Sequence, residues 1–371
     1  MSDHQSTPHK TLTSVADLVD AGLAHGDQAV LEKVAEEFRV AITPELRQII
    51  DPGPSPDPIR AQFVPSPEEL ETHDWETGDP IGDEVHEAVK GVTHRYPDRV
   101  LLKPTHTCRV YCRFCFRREK VGDVREQLSD NELGNALDYI RSHQQIWEVI
   151  LSGGDPLVLA DRRLAKVMAE LEAIDHVKVI RFHTRVPIAD PDRITAGLLS
   201  ALAVKKAVYV VVHCNHAREL TPSVRAAIAR LVDGGIPVLS QTVLLKGVND
   251  TAADLRDLMR ALVENRVKPY YLHHPDLARG TGHFRVSIRR GLELVRALRG
   301  FVSGLCQPTY VLDIPGGFGK VPLTPQSLRE TGTGAYDVQD FRGETHAYLD
   351  PLDIREKPAS ISGATSEPPE T

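Results

Sequence analysis

The chain has 371 residues, 41% of them hydrophobic and 26% charged, which is apolar material for one large or two medium cores. Its formal net charge of -8 gives no global positive field, and the basic cluster Arg113, Arg117 and Arg118 is too local to make a nucleic-acid face. No stretch approaches the roughly 18 apolar residues that a membrane span needs, and the polar start Met1 to Lys10 has no apolar core of a leader peptide, so a soluble cytoplasmic enzyme is expected, with neither membrane nor nucleic acid as partner.

Residues 1–10 and the closing segment around PASISGATSEPPET are rich in Ser, Thr, Pro and Glu, and are expected to be disordered tails. From Ser14 to Ile50 the apolar spacing is helical. DPGPSPDP and VPSP then break regular structure ahead of an acidic segment from Glu68 to Glu84, so residues 11–90 read as a helical N-terminal region with a Pro-rich connector.

From Val100 onward β-rich runs (VLLKPTHT, EVILSGG, KVIRFHTR, AVYVVVHC, PVLSQTVLL, VKPYYLHH) alternate with helical patterns at 130–143, 161–173, 191–204, 222–233 and 251–265. Such alternation builds parallel βαβ units. It predicts an α/β fold, an incomplete (β/α)6-type barrel over residues 91–325, with a helical N-terminal extension and an active site at the strand C-terminal ends. A seventh strand, TYVLDI, follows the helix 287–298 and leads into PGGFGK. Residues 326–371 read as a partly disordered C-terminal extension.

The strongest chemical signal is THTCRVYCRFCFRR after the first strand, where Cys108, Cys112 and Cys115 make C-x3-C-x2-C. Three thiolates on one loop hold three irons of a cubane [4Fe–4S] cluster and leave the fourth open to a chelating ligand. A zinc site, as in a zinc-bound interaction protein, would want a fourth Cys or His, and His106 precedes Cys108 by only two residues. Cys214 and Cys306 stand apart and read as small buried residues. A second signal is DIPGGFGKVP, where Lys320 follows a glycine-rich turn; it is not a phosphate loop, since Val321 follows the lysine.

The cysteine spacing, with Phe114 before the last cysteine, resembles the radical S-adenosylmethionine superfamily, whose cluster cleaves that cofactor to a 5′-deoxyadenosyl radical. LSGGDPL is similar to the superfamily's glycine motif, which implies that Gly153, Gly154 and Asp155 meet the amino group of the cofactor's methionine moiety. Taken in order, HRYPDRVLL, the cysteine loop, LSGGDPL, QTVLLKGVND, KPYYLHHPDL and TYVLDIPGGFGK resemble the lysine 2,3-aminomutase family over Pro80 to Pro325. That resemblance implies that Lys320 carries pyridoxal 5′-phosphate in Schiff-base linkage, and that Arg95, Arg99 and Gln241 hold its phosphate. It also implies that Arg117 pairs with the substrate carboxylate, and that Asp276 and Asp313 surround a distal amino group, so that free L-lysine is the expected substrate and β-lysine the product.

The same resemblance implies an electron donor such as flavodoxin or ferredoxin, and a homo-oligomer. Its rivals are arginine, glutamate or another amino acid as substrate, or a lysine destined for a translation factor. There are departures too. The extra zinc-binding cysteines of clostridial-type members are missing here, so no zinc is expected. His273 and His274 replace the family's usual tyrosine and glutamine and are set aside as structural.

Overall fold

The computed structural model describes residues 10–350; apart from Lys10, the two tails expected from composition lie outside the described residues. The N-terminal region folds into four short helices, α1 (Val15–Asp20), α2 (Gln28–Glu37), α3 (Pro44–Ile49) and α4 (Pro58–Phe63). Ser14, Asp27, Thr43 and Asp57 cap them by accepting from first-turn backbone N–H groups. The Pro-rich connector therefore contains a helix. Pro58 occupies the first turn of α4, where its missing N–H costs nothing.

Ten strands form one sheet in sequence order: β1 (Glu87–Val89), β2 (Val92–Tyr96), β3 (Arg99–Thr105), β4 (Glu148–Gly153), β5 (Val179–Thr184), β6 (Ala207–His213), β7 (Val238–Val243), β8 (Val267–His273), β9 (Thr309–Ile314) and β10 (Gly319–Pro322). The seven from β3 to β9 are parallel. They are connected through α5 (Asp130–Ser142), α6 (Asp161–Glu172), α7 (Val186–Ala189) with α8 (Ala196–Leu202), α9 (Pro222–Asp233), α10 (Ala252–Glu264) and α11 (Ile288–Leu298). Antiparallel strands, the hairpin β1–β2 and β10, flank the parallel run at either edge, so the barrel does not close. The six predicted β/α units and the seventh strand are all present; the β1–β2 hairpin and β10 were not anticipated.

Period-two alternation decides what each strand offers to either side. On β5, Ile180 and Phe182 face the helices and belong to the main apolar core, while Arg181 and His183 line the interior cavity. On β6, Val210 and Val212 face outward and His213 inward; on β8, Leu272 faces outward and His273 inward. The barrel thus has an apolar shell and a polar lining.

The N-terminal helices build two further apolar clusters against the cysteine loop. Leu18, Ile42, Leu46, Ile59 and Phe63 pack with Val110 and Cys112, and Val34 and Phe38 pack with Tyr111, Val121, Cys108 and Cys115. After the barrel, β11 (Leu328–Gly332), β12 (Ala335–Gln339) and β13 (Thr345–Leu349) form a separate antiparallel sheet in which no residue is buried. Phe341 of the β12–β13 connection ties it to the body by packing edge-on against Phe301.

Candidate active site

One cavity of about 560 Å³ runs through the barrel, and every candidate cofactor-, substrate- and metal-binding residue expected from the sequence lines it. The cysteine loop closes the end at the strand C-termini. Arg99, the first residue of β3, marks the other end, about 20 Å away along a strand of seven residues.

Cys108, Cys112 and Cys115 are free thiols packed among the N-terminal helices. Burial pushes all three up, aided at Cys108 by Asp155 and at Cys115 by the neighbouring Cys112; Cys115 reaches about 11. Buried thiols of this kind ionise only when cations replace their protons, which is the chemistry of an iron–sulfur cluster. Among the described residues the trio of ligand groups close enough to hold a single metal ion is Asp340, Glu344 and His346, on the C-terminal sheet, and not the cysteines. Cys214 and Cys306 are buried, at the end of β6 and in a 3-10 turn.

Gly153 and Gly154 let β4 end hard against this loop. A Cβ on Gly153, whose φ is +106°, would come within 2.5 Å of the Thr105 carbonyl oxygen, and one on Gly154 within 2.4 Å of that of Thr107. Asp155 is held from the same side. Its two oxygens accept from the Leu157, Arg185 and Val186 N–H groups and from the Thr184 hydroxyl, at 2.6–3.1 Å, which fills all four acceptor positions of a carboxylate. Asp155 therefore ties the β4 turn to the end of β5.

The remaining site residues are linked by a buried chain of alternating charge. Arg117 Nε donates to Asp83 at 2.7 Å; Asp83 also faces Arg95 at 3.4 Å, Arg95 faces Asp313 at 3.6 Å, and Asp313 holds Lys320 Nζ at 2.8 Å. Lys320 and Asp313 are directly opposed across β10 and β9, and the Lys320 N–H donates to the Tyr96 hydroxyl. Burial alone would raise the pKa of both aspartates, but their partners outweigh it: the charges of Arg117 and Lys103 at Asp83, the His273 hydrogen bond and the Lys320 charge at Asp313, so that both fall to about 2.

Asp276, in the loop after β8, behaves in the opposite way. Burial and then the charge of Asp313 push it up to about 7, and among the described residues its carboxylate has neither hydrogen bond nor ion pair. Arg285 donates instead to its backbone carbonyl.

Arg95 Nε, Thr93 Oγ1 and the Nε2 atoms of His183, His213 and His273 are buried cavity-wall atoms that have no hydrogen-bond partner among the described residues. Burial pushes the three imidazoles down, His213 to about 3, so they are neutral at pH 7. Such a wall suits a polar, anionic ligand. Arg95 and Gln241 adjoin it, whereas Arg99 is paired with Asp98 and lies over the Tyr96 ring. Asp83 was missed by sequence reasoning, and His273 was noted but set aside as structural. Asp83 sat in an acidic stretch with no periodicity, and a histidine at a strand end gives no sign of which way it faces. His274 is the structural one, with Nδ1 2.8 Å from the Tyr310 hydroxyl.

An open parallel barrel with three thiols on its first loop and a ligand cavity beneath them defines the radical S-adenosylmethionine class, and residues 102–262 match the Radical SAM superfamily model. Residues 295–366 match a second model, described as Lysine-2,3-aminomutase. The chain is 39% identical to the L-lysine 2,3-aminomutase of Methanococcus maripaludis, covering 88% of this chain and 76% of that one, and 38% identical to the enzyme of the same name from Clostridium subterminale, covering 89% and 79%. It is also 36% identical to a glutamate 2,3-aminomutase of Clostridioides difficile, covering 87% and 76%. The chain belongs to the lysine 2,3-aminomutase family. It is an isomerase of the radical type, and the family's cofactors are a [4Fe–4S] cluster, S-adenosylmethionine and pyridoxal phosphate. No helix among the described residues is long and apolar enough to cross a membrane.

Proposed function

We propose that the protein interconverts L-lysine and β-lysine (3,6-diaminohexanoate), and the observation that carries this is Asp276, an uncommitted carboxylate in the cavity that adjoins the committed Asp313. A lysine ε-ammonium entering the cavity loses hydration worth several kcal/mol and needs two anions to recover it. Asp276 supplies one by releasing its proton. Asp313 supplies the other when Lys320 leaves it to bind pyridoxal phosphate. The glutamate side chain would face two carboxylates, with the nearby Arg95 already paired to Asp313 and Asp83, so the pair selects against it.

The cluster supplies the electron that cleaves S-adenosylmethionine, and pyridoxal phosphate holds the migrating nitrogen. Around them the chain's own residues take these roles. Cys108, Cys112 and Cys115 ligate iron, while Gly153 and Gly154 offer backbone to the methionine moiety. Arg95, Arg99 and Gln241 face the cofactor phosphate, and Lys320 carries the cofactor. Arg117 receives the substrate carboxylate in place of Asp83, to which it is already aimed. The apolar shell of the barrel shields the cavity from water on the helix side. The same reading divides the chain into a helical region at 11–90, the barrel at 91–325 and an extension at 326–371. It includes a flavodoxin- or ferredoxin-type donor, a homo-oligomeric state and a cytoplasmic location.

Lysine, ornithine, arginine and glutamate offered anaerobically with a reductant should give a β-amino isomer from lysine alone. Asp276→Asn should lower kcat/KM for lysine by roughly a hundredfold, the scale of a lost buried charge pair. Glutamate as the preferred substrate would reverse the assignment. Lys320→Ala should abolish the borohydride-trappable pyridoxal absorbance; trapping at another lysine would move the cofactor.

A further inference from the structure

The radical reaction needs the cluster to accept an electron, yet nothing described so far sets how readily it does so. Arg185, at the end of β5, places NH1 3.5 Å from the Cys112 sulfur. Its other fork is fixed: NH2 donates to Glu219 at 2.5 Å and to Gln62 at 2.8 Å, and the guanidinium lies over the Phe63 and Phe114 rings. The partners are themselves held. Glu219 accepts from the N–H groups of Asn215 and His216, and Gln62 Oε1 also accepts from Asn215 Nδ2. Gln62, Asn215 and Glu219 are all at most 1% exposed. A buried network of this size has few ways to rearrange.

We propose that Arg185 is a positioning and electrostatic partner of Cys112 that raises the reduction potential of the cluster, with Glu219 and Gln62 serving to aim it. A hydrogen bond from a buried cation to a ligating sulfur favours the state with more electron density on the cluster. In the step concerned, an external low-potential one-electron donor passes one electron to the oxidised [4Fe–4S] cluster, and no bond forms or breaks. The aim comes partly from outside the barrel, because Gln62 belongs to α4. The Gln62 carbonyl also accepts from the Arg113 N–H beside Cys112, so one residue of the N-terminal extension sets both the cysteine loop and the arginine that faces it.

This inference rests on the reading that the three cysteines hold the cluster, and iron and sulfide analysis of the reconstituted protein tests that reading separately. The test proper is a redox titration without S-adenosylmethionine, with the reduced cluster followed by electron paramagnetic resonance. Arg185→Met keeps the volume and removes the donor. Paired with Glu219→Gln, it leaves no stranded carboxylate in the core. At a fixed poise, the ratio of reduced to oxidised cluster in this double variant should fall by about tenfold or more, which is 59 mV for one electron. Arg185→Lys, which retains a cation, should recover part of the shift. A folded double variant with full iron and sulfide content that titrates at the parent potential would overturn the proposal. A parent protein without four irons would overturn the cluster reading instead.

Discussion

Around Glu69, a buried carboxylate is closed off by its surroundings: Arg113 reaches it through Nε and NH2, Arg118 through NH2, and the Ser66 N–H caps it. Around Asp313, the neighbouring groups are left with spare capacity among the described residues, in the unpartnered Asp276 carboxylate, the orphaned Arg95 Nε and the free Nε2 atoms of the imidazoles. Both groups are deep in the molecule, and both mix arginine with aspartate or glutamate. The first joins the N-terminal extension to the cysteine loop, and its one unpartnered atom among the described residues, Arg118 Nε, does not line the cavity. The second is a site because its hydrogen-bonding and ionic capacity is unfilled. Burial of charge by itself does not separate structural from functional residues; the state of the partners does.

The largest effect should come from opening the closed group. Glu69→Ala would strand two arginines of which only 1% of each side chain is exposed, and should cost about 3–5 kcal/mol, read as a lowered denaturant midpoint. Iron loading should fall with it, since Arg113 and Arg118 flank the ligating cysteines. A variant with parent stability would mean that the clamp is not what holds the loop.

The open group should respond with the opposite sign. The folded-state pKa of Asp276, about 7, lies above its unfolded value near 3.8, so the folded state binds the extra proton. Its contribution therefore favours folding below pH 4 and turns unfavourable as pH rises toward 7. Asp276→Asn should stabilise the protein at pH 8, on the order of 2 kcal/mol after allowance for partial exposure, with the gain shrinking as pH falls toward 4. Paired denaturation curves at pH 8 and pH 5 check this. A destabilised Asn variant at pH 8 would show that the carboxylate is satisfied after all.

The smallest effect belongs to the C-terminal sheet, where Tyr348 is 53% and Leu349 64% exposed. Replacing either by Ser should change stability by no more than about 0.5 kcal/mol. A larger loss would reveal a covered surface there.

Much of this was legible in the sequence, for identifiable reasons. Parallel strands buried on both faces are written as apolar runs such as AVYVVVHC, and C-x3-C-x2-C confines three ligands to one loop whatever the rest of the chain does. Lys320 stood out through its motif, but its contact with Asp313 needed strand pairing. Asp83, Glu69 and Gln62 were illegible because their partners lie 34, 44 and 123 residues away, at Arg117, Arg113 and Arg185. No local pattern encodes an ion pair closed over such a distance. The C-terminal sheet escaped notice because β11 and β13 bury neither face, so no alternation marks them.

The hairpin that carries Lys320 has a consequence for how this enzyme can vary. Its turn, Pro315 to Phe318, contains Gly316 and Gly317 at φ +85° and +88°, a conformation closed to most residues. An inserted or deleted residue in that turn would slip β10 by one position along β9. Because side chains alternate, the slip would turn Lys320 out of the cavity and bring Val321 or Gly319 opposite Asp313. A change of count in these four residues thus inverts the strand and takes the Lys320 amine away from Asp313.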